Sequence, residues 1–241
     1  MNARFESVGS NLRRVQERIE SAARSVGRPP ETVTLVAVTK GHPREAIEAA
    51  FEAGVNRIGE NYLEEAVSKM QEIPQRDRIE WHMIGHVQSR KARDVCEHFD
   101  WVHSVDSLKL ARRLDRYAGE RARPLPVLLE CNVSGEESKF GFPAWDEMKW
   151  DELLPEFGRI AGLSHLNVRG LMTMAPYLPD PEDARPYFRR LRRLKEYLQD
   201  EGSPGDWEAL SMGMSGDFEI AIQEGATIVR VGTAIFGERL T

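Results

Sequence analysis

The sequence predicts a single (β/α)8 barrel, an α/β fold, with an extra helix at its N-terminus. Three observations carry this. Eight short apolar runs of strand character, spread between residues 34 and 231, alternate with helical segments. The 241 residues match the roughly 250-residue size of that architecture, and no linker or composition break divides them. The rival is an open doubly wound sheet, which carries a glycine fingerprint after its first strand. Lys40 to Arg44 holds only Gly41, so the closed barrel is favoured, and residues 1–241 are read as one domain.

The elements follow in order. Phe5, Val8, Leu12, Val15, Ile19, Ala22 and Val26 recur at steps of three and four, predicting one amphipathic helix over 3–27 that ends at Gly27 and Pro29. The repeat barely reaches coiled-coil length, so the stripe is expected to pack on its own domain. A strand at 34–38 leads to a helix at 43–53 carrying Ile47, Ala50 and Phe51 and closed by Gly54. Strands at 56–60, 79–84 and 101–105 precede helices at 62–73, 88–98 and 107–118. The strand at 126–133 is followed by a helix somewhere in 144–161, its start blurred by Pro143 and Pro155. Strands at 168–174 and 209–214 lead to helices at 182–200 and 216–223, and 228–231 is the eighth strand.

Composition narrows the function classes. There are 33 basic and 39 acidic residues, a net charge of -6 and a pI near 5.6, so no global positive field draws the chain to nucleic acid or an anionic membrane. Cys96 and Cys131 lie far apart without metal-ligand spacing, which argues against a disulfide framework and a zinc site. The N-terminus is charged from Arg4, and no apolar run approaches membrane-spanning length. A cytoplasmic protein is expected, and, with no obvious apolar surface beyond the first helix, a monomer.

In a barrel, residues at strand C-termini converge on one face. Here these are Lys40, Glu60, Asn61, His82 to His86, Ser104, Asn132, Met174, Ser211 to Ser215, and Arg230 to Thr233. An amine is a nucleophile only when neutral. Burial and a nearby Arg230 would both lower the Lys40 pKa and favour a Schiff base with an aldehyde; the plain alternative is a surface lysine paired with Glu60 or another acid. Alternation puts Ile228, Arg230 and Gly232 on the inner face of the last strand, with Val229 and Val231 outward. Gly232 and Thr233 then fall where the loop after strand eight binds phosphate, and Ser211-Met-Gly-Met-Ser-Gly216 is the matching loop after strand seven. Each glycine loop alone is ordinary turn chemistry; together they favour a phosphate site. His82 is held as a pocket-lining residue against the alternative of a satisfied core histidine. The run Arg189 to Lys195 reads as a solvated helix face. No serine-histidine-acid or metal-ligand constellation is present.

Several stretches carry a resemblance. Val38-Thr-Lys-Gly, Gly59-Glu-Asn-Tyr, Trp81-His-Met-Ile-Gly-His-Val-Gln-Ser, Asn132-Val-Ser-Gly-Glu-Glu-Ser-Lys-Phe-Gly-Phe, Gly170-Leu-Met-Thr-Met, Leu210-Ser-Met-Gly-Met-Ser-Gly-Asp and Val229-Arg-Val-Gly-Thr-Ala-Ile-Phe-Gly resemble the YggS/PROSC family of pyridoxal phosphate homeostasis proteins, in family order from about residue 36 to 238. The resemblance implies an alanine racemase-like barrel binding pyridoxal 5'-phosphate (PLP), without the racemase's C-terminal β domain. It implies that Lys40 holds PLP as a covalent Schiff base, that Arg230 faces the pyridine nitrogen, that Gly232, Thr233 and the loop from Ser211 to Ser215 hold the phosphate, and that Asn61 and His82 line the pocket. Arg90 and Phe140 depart from the family's usual Asn and Ser, which bears on the pocket rim and on partners. PLP-dependent apoenzymes are the implied recipients.

Two functions compete at this stage. One is a carrier that buffers or delivers PLP without substantial catalysis; a guanidinium only donates, so it weakens the pyridine ring as an electron sink, and the chain's stop at Thr241 leaves no expected room for a second domain. The other is a PLP-dependent amino-acid racemase or decarboxylase, or a Schiff-base aldolase. The sequence leaves open a role for Lys139 as a secondary site of attachment.

Overall fold

The computed structural model describes residues 5–239. The strands are β1 (Thr34–Val38), β2 (Arg57–Glu60), β3 (Glu80–Met83), β4 (Trp101–Val105), β5 (Leu125–Asn132), β6 (Phe142–Pro143), β7 (Leu166–Met172), β8 (Ala209–Ser211) and β9 (Ile228–Val231). The helices are α1 (Val8–Ser25), α2 (Arg44–Glu52), α3 (Leu63–Glu72), α4 (Ala92–His98), α5 (Leu108–Ala118), α6 (Leu154–Ala161), α7 (Arg185–Asp200), α8 (Phe218–Gln223) and α9 (Thr233–Phe236).

All pairings are parallel, and β4 pairs with β5 and β9 with β1, so eight strands close into a barrel. The two-residue β6 lies outside the ring, paired with the end of β5. Closure matters for the site. The register Thr34↔Ile228 through Ala37↔Val231 sets β1 beside β9, so Lys40 and Gly232, from opposite ends of the sequence, emerge side by side.

Strand alternation decides which side chains enter the barrel. Val36, Leu128, Met172, Ala209 and Ile228 form the inner apolar cluster, whereas Val229 and Val231 join the outer core under the helices. A glycine at position 59 makes room inside, because a Cβ there would lie 2.9 Å from Val36 and 3.1 Å from Ile84. The interior also holds polar side chains: His82, His103, Ser211 and Arg230 are all buried.

Helix α1 buries Val8, Leu12, Val15, Ile19 and Ala22 against α2, α8 and α9, as its stripe predicts. Asn11 Nδ2 donates to Ile235 O at 2.8 Å, and Arg18 pairs with Glu219 at 2.6 Å while lying over the Phe218 ring. Residues 3 and 4 of the expected helix lie outside the described residues. The helix expected within 144–161 divides in two: a 3₁₀ segment at Glu147–Glu152, capped by Asp146, precedes α6, whose first turn holds Pro155. Proline lacks an N–H and is tolerated only in that first turn, which fixes where α6 starts. Strand β8 stops at Ser211, three residues before its expected end, because Gly213 adopts φ +94 and turns the chain. Among the described residues no helix is long and apolar enough to cross a membrane.

Candidate functional site

Lys40 follows β1 at the C-terminal mouth of the barrel, with its amine half-buried. Burial pulls its pKa below the ordinary lysine value, and Arg239 and then Arg230 push in the same direction against weaker opposition from Glu60 and Glu65. The alternative pairing with Glu60 does not occur. Glu60 alternates outward from Gly59 and meets buried Lys69 of α3 at 2.7 Å; Thr39 Oγ1 donates to the same carboxylate oxygen at 2.6 Å. Lys69 also donates to Thr39 O and pairs with Glu65 at 2.5 Å. This cluster pins α3 to the ends of β1 and β2 and leaves Lys40 Nζ without a hydrogen bond or ion pair among the described residues.

Lys40 opens onto a cavity of about 370 Å³ that also receives Asn61, Met174, Ser215, Asp217, Arg230, Gly232, Thr233 and Arg239, a volume within the usual range of small-molecule sites. A larger hollow of about 480 Å³ between α1 and α2 carries neither lysine nor histidine. Arg230 is buried, its guanidinium held by two neutral acceptors: Nη1 donates to Ser211 Oγ at 2.6 Å and Nη2 to Thr173 O at 2.8 Å. Burial lowers it to about 10, with Glu130 and Asp217 opposing, so it stays cationic at neutral pH. On the adjoining wall the backbone N–H groups of Gly232 and Ala234 both donate to Ser215 Oγ at 3.2 Å. A Cβ at Gly232 would lie 3.0 Å from Val38 O, so glycine is what lets this loop sit against β1. Asn61 Oδ1 is buried and unpartnered, a polar atom that a bound group would satisfy.

Six residues expected at the site thus share the cavity: Lys40, Asn61, Ser215, Arg230, Gly232 and Thr233. Ser211 lies beneath it, touching Arg230. His82 does not line this cavity. Its ring lies deeper in the barrel, bonded to His103 and Glu80, and borders a hollow at the opposite end with Arg57 and Trp101. Asp217 and Arg239 line the site although sequence reasoning did not single them out. Asp217 Oδ1 accepts from Met214 N at 2.6 Å and shapes the loop after β8. Lys139 is not among the residues lining the cavity, although its amine bonds the carbonyl of the lining residue Met174 as well as Ser134 Oγ, and it is ion-paired with Glu136. Cys131 is buried against the outer core, and burial pushes its thiol up; burial likewise pushes Cys96 to about 12, so neither is poised to react.

Fold and site together define a lysine-bearing barrel of the alanine racemase N-terminal domain kind, and the family model of that description matches residues 10–240. A pyridoxal phosphate homeostasis protein of Vibrio alginolyticus is 43% identical over 238 residues, covering 98% of this chain and 99% of the relative. The structure of PipY of Synechococcus elongatus PCC7942 with PLP bound is 39% identical, with a TM-score of 0.78 over 92% of this chain and all of that one. The chain belongs to the family of pyridoxal phosphate homeostasis proteins. Alanine racemase of Clostridium difficile shares the fold alone, at 14% identity and TM-score 0.71, this chain spanning 60% of its length.

Proposed function

We propose that this chain binds pyridoxal 5'-phosphate through Lys40 and acts in PLP homeostasis as a carrier that buffers the cofactor and keeps it available to PLP-dependent apoenzymes, without substantial turnover of its own. The observation that carries this reading is the unpaired Lys40 amine sharing a cavity with buried Arg230, beside a loop whose Gly232 and Ala234 N–H groups converge on Ser215 Oγ. The donor set suits the group. PLP brings an aldehyde that condenses reversibly with an amine, a phosphate and a pyridine ring. Lys40 would hold the aldehyde carbon, while Ser215, Thr233 and the N–H groups of Gly232 and Ala234 would take the phosphate. Arg230 would face the ring nitrogen and Asn61 the ring's edge. The PLP bound to the similar PipY supports PLP as the ligand.

A carrier fits better than an enzyme because Arg230 can only donate hydrogen bonds and stays cationic, so a pyridine nitrogen facing it would be left unprotonated and the ring would be a weak electron sink. The test is incubation of PLP-loaded protein with a panel of L-amino acids, followed by chiral and mass analysis of the products. The carrier reading expects the amino acids to be recovered unchanged. Sustained turnover of any of them would replace it with a racemase or decarboxylase.

A further inference from the structure

Beneath Arg230 the barrel interior holds an unbroken file of polar side chains. Arg230 Nη1 meets Ser211 Oγ at 2.6 Å, Ser211 Oγ meets His103 Nδ1 at 2.9 Å, His103 Nε2 meets His82 Nδ1 at 2.9 Å, and His82 Nε2 meets Glu80 Oε1 at 2.8 Å. Arg230, Ser211, His103 and His82 are between 0% and 4% exposed. Glu80 stands at the start of β3, at the barrel floor, with 39% of its side chain exposed and Arg57 at 3.4 Å. Five residues from four strands therefore connect the floor to the mouth.

The two ends dictate where every proton lies. A guanidinium has donors only, so Arg230 donates to Ser211; a carboxylate has acceptors only, so Glu80 accepts from His82 Nε2–H. Burial lowers both imidazole pKa values, that of His103 strongly, and keeps both rings neutral. A neutral His82 protonated at Nε2 must accept at Nδ1 from His103 Nε2–H. A neutral His103 protonated at Nε2 must in turn accept at Nδ1 from the Ser211 hydroxyl. The file then runs one way, each member donating toward the floor, with no donor facing a donor. Hydrogen bonds aligned head to tail polarise one another, most of all in a water-excluded interior. An apolar layer would fill a barrel interior without the cost of burying four polar groups, so the polar file calls for a role.

We infer that Glu80, His82, His103 and Ser211 are positioning residues for Arg230, a one-way relay that fixes the guanidinium beneath the cofactor ring and transmits the negative charge of a floor carboxylate to it. This rests on the reading of the mouth as a PLP site with Arg230 at the ring nitrogen. It assigns His82 a part at the site without contact with the cofactor, and gives the opposite end of the barrel a measurable influence on it.

The test uses the PLP-loaded full chain. Glu80→Gln keeps an acceptor for His82 but removes the charge; His103→Phe cuts the file in the middle, and Ser211→Ala cuts it at Arg230 should the histidine variant fail to fold. The readouts are the visible absorption band of bound PLP, the PLP dissociation constant, borohydride trapping at Lys40, and 15N NMR of the histidine side chains. The expected result is a shifted band and a roughly three- to tenfold weaker affinity for Glu80→Gln, with trapping at Lys40 retained. Once the file is cut by His103→Phe or Ser211→Ala, adding Glu80→Gln should change nothing further, because coupled sites are not additive. NMR should place the proton of both His82 and His103 on Nε2. Unchanged spectrum and affinity in Glu80→Gln, additive effects in the double variants, or the opposite tautomers would overturn the relay while wild-type trapping at Lys40 leaves the PLP site standing. Failure of the wild type to trap PLP at Lys40 would overturn the site reading and the relay's role with it.

Discussion

Glu130 offers a quantitative check on the barrel interior. Two residues after the inward Leu128 and on the same face of β5, it is 3% exposed and has a carboxylate oxygen, Oε2, that is buried and without a hydrogen-bond partner. Burial, reinforced by Asp106 and opposed by Arg230, raises its pKa from 4.5 to about 7. That shift corresponds to a penalty of about 3 kcal/mol on the ionised form in the folded state. For an acid raised on folding, the favourable contribution is complete below the unfolded value and is lost as pH climbs through the folded one, so stability drains away between about pH 4.5 and 7. Glu130→Gln keeps the shape and removes the ionisation. Urea unfolding of both proteins at about pH 5.5 and about pH 8.5 should show the variant's advantage growing by about 2 kcal/mol toward the alkaline side. An advantage independent of pH, or a variant less stable than wild type at the higher pH, would refute the reasoning and place a cation or a hydrogen bond on Glu130 that the geometry does not contain.

Further expectations follow from the mouth. Because burial and the two arginines lower the Lys40 pKa, the rate of PLP capture should rise with pH around a midpoint below that of ordinary lysine, and Arg239→Ala should move the midpoint upward; stopped-flow absorbance against pH measures both. Gly232→Ala sets a Cβ 3.0 Å from Val38 O, displacing the N–H groups of that loop, so PLP affinity by titration should fall about tenfold while saturating PLP still labels Lys40. Lys69→Met strands the fully buried Glu60 carboxylate and should cost about 3 kcal/mol in urea unfolding; a near-neutral result would mean that Glu60 is protonated in the native protein.

Much of this was legible in the sequence, for identifiable reasons. The barrel followed from apolar runs spaced by helical segments, and the inward direction of Arg230 from its alternation with Val229 and Val231, a periodicity the closed sheet preserves. The loops after β8 and β9 were found because glycine and serine cluster where backbone N–H groups must be free to converge. Other features depend on register between elements. That Glu60 pairs with Lys69 and leaves Lys40 unpaired is settled by how α3 lies on β1 and β2, which no local pattern encodes. His82 pointed inward as expected, yet its height in the barrel decided that it meets His103 and Glu80, not the mouth. His103 itself was detectable, since Trp101 and His103 alternate on the inner face of β4 with Val102 outward. Arg239 lies beyond α9, where no periodicity speaks for it.

Lys40 is proposed as the amine that holds PLP. Borohydride reduction of the purified, PLP-equilibrated protein, followed by proteolysis and mass mapping, tests it most directly. One dominant pyridoxyl-modified peptide spanning Lys40, absent from Lys40→Ala, is expected. Modification that maps instead to Lys139, or that survives undiminished in Lys40→Ala, would contradict it.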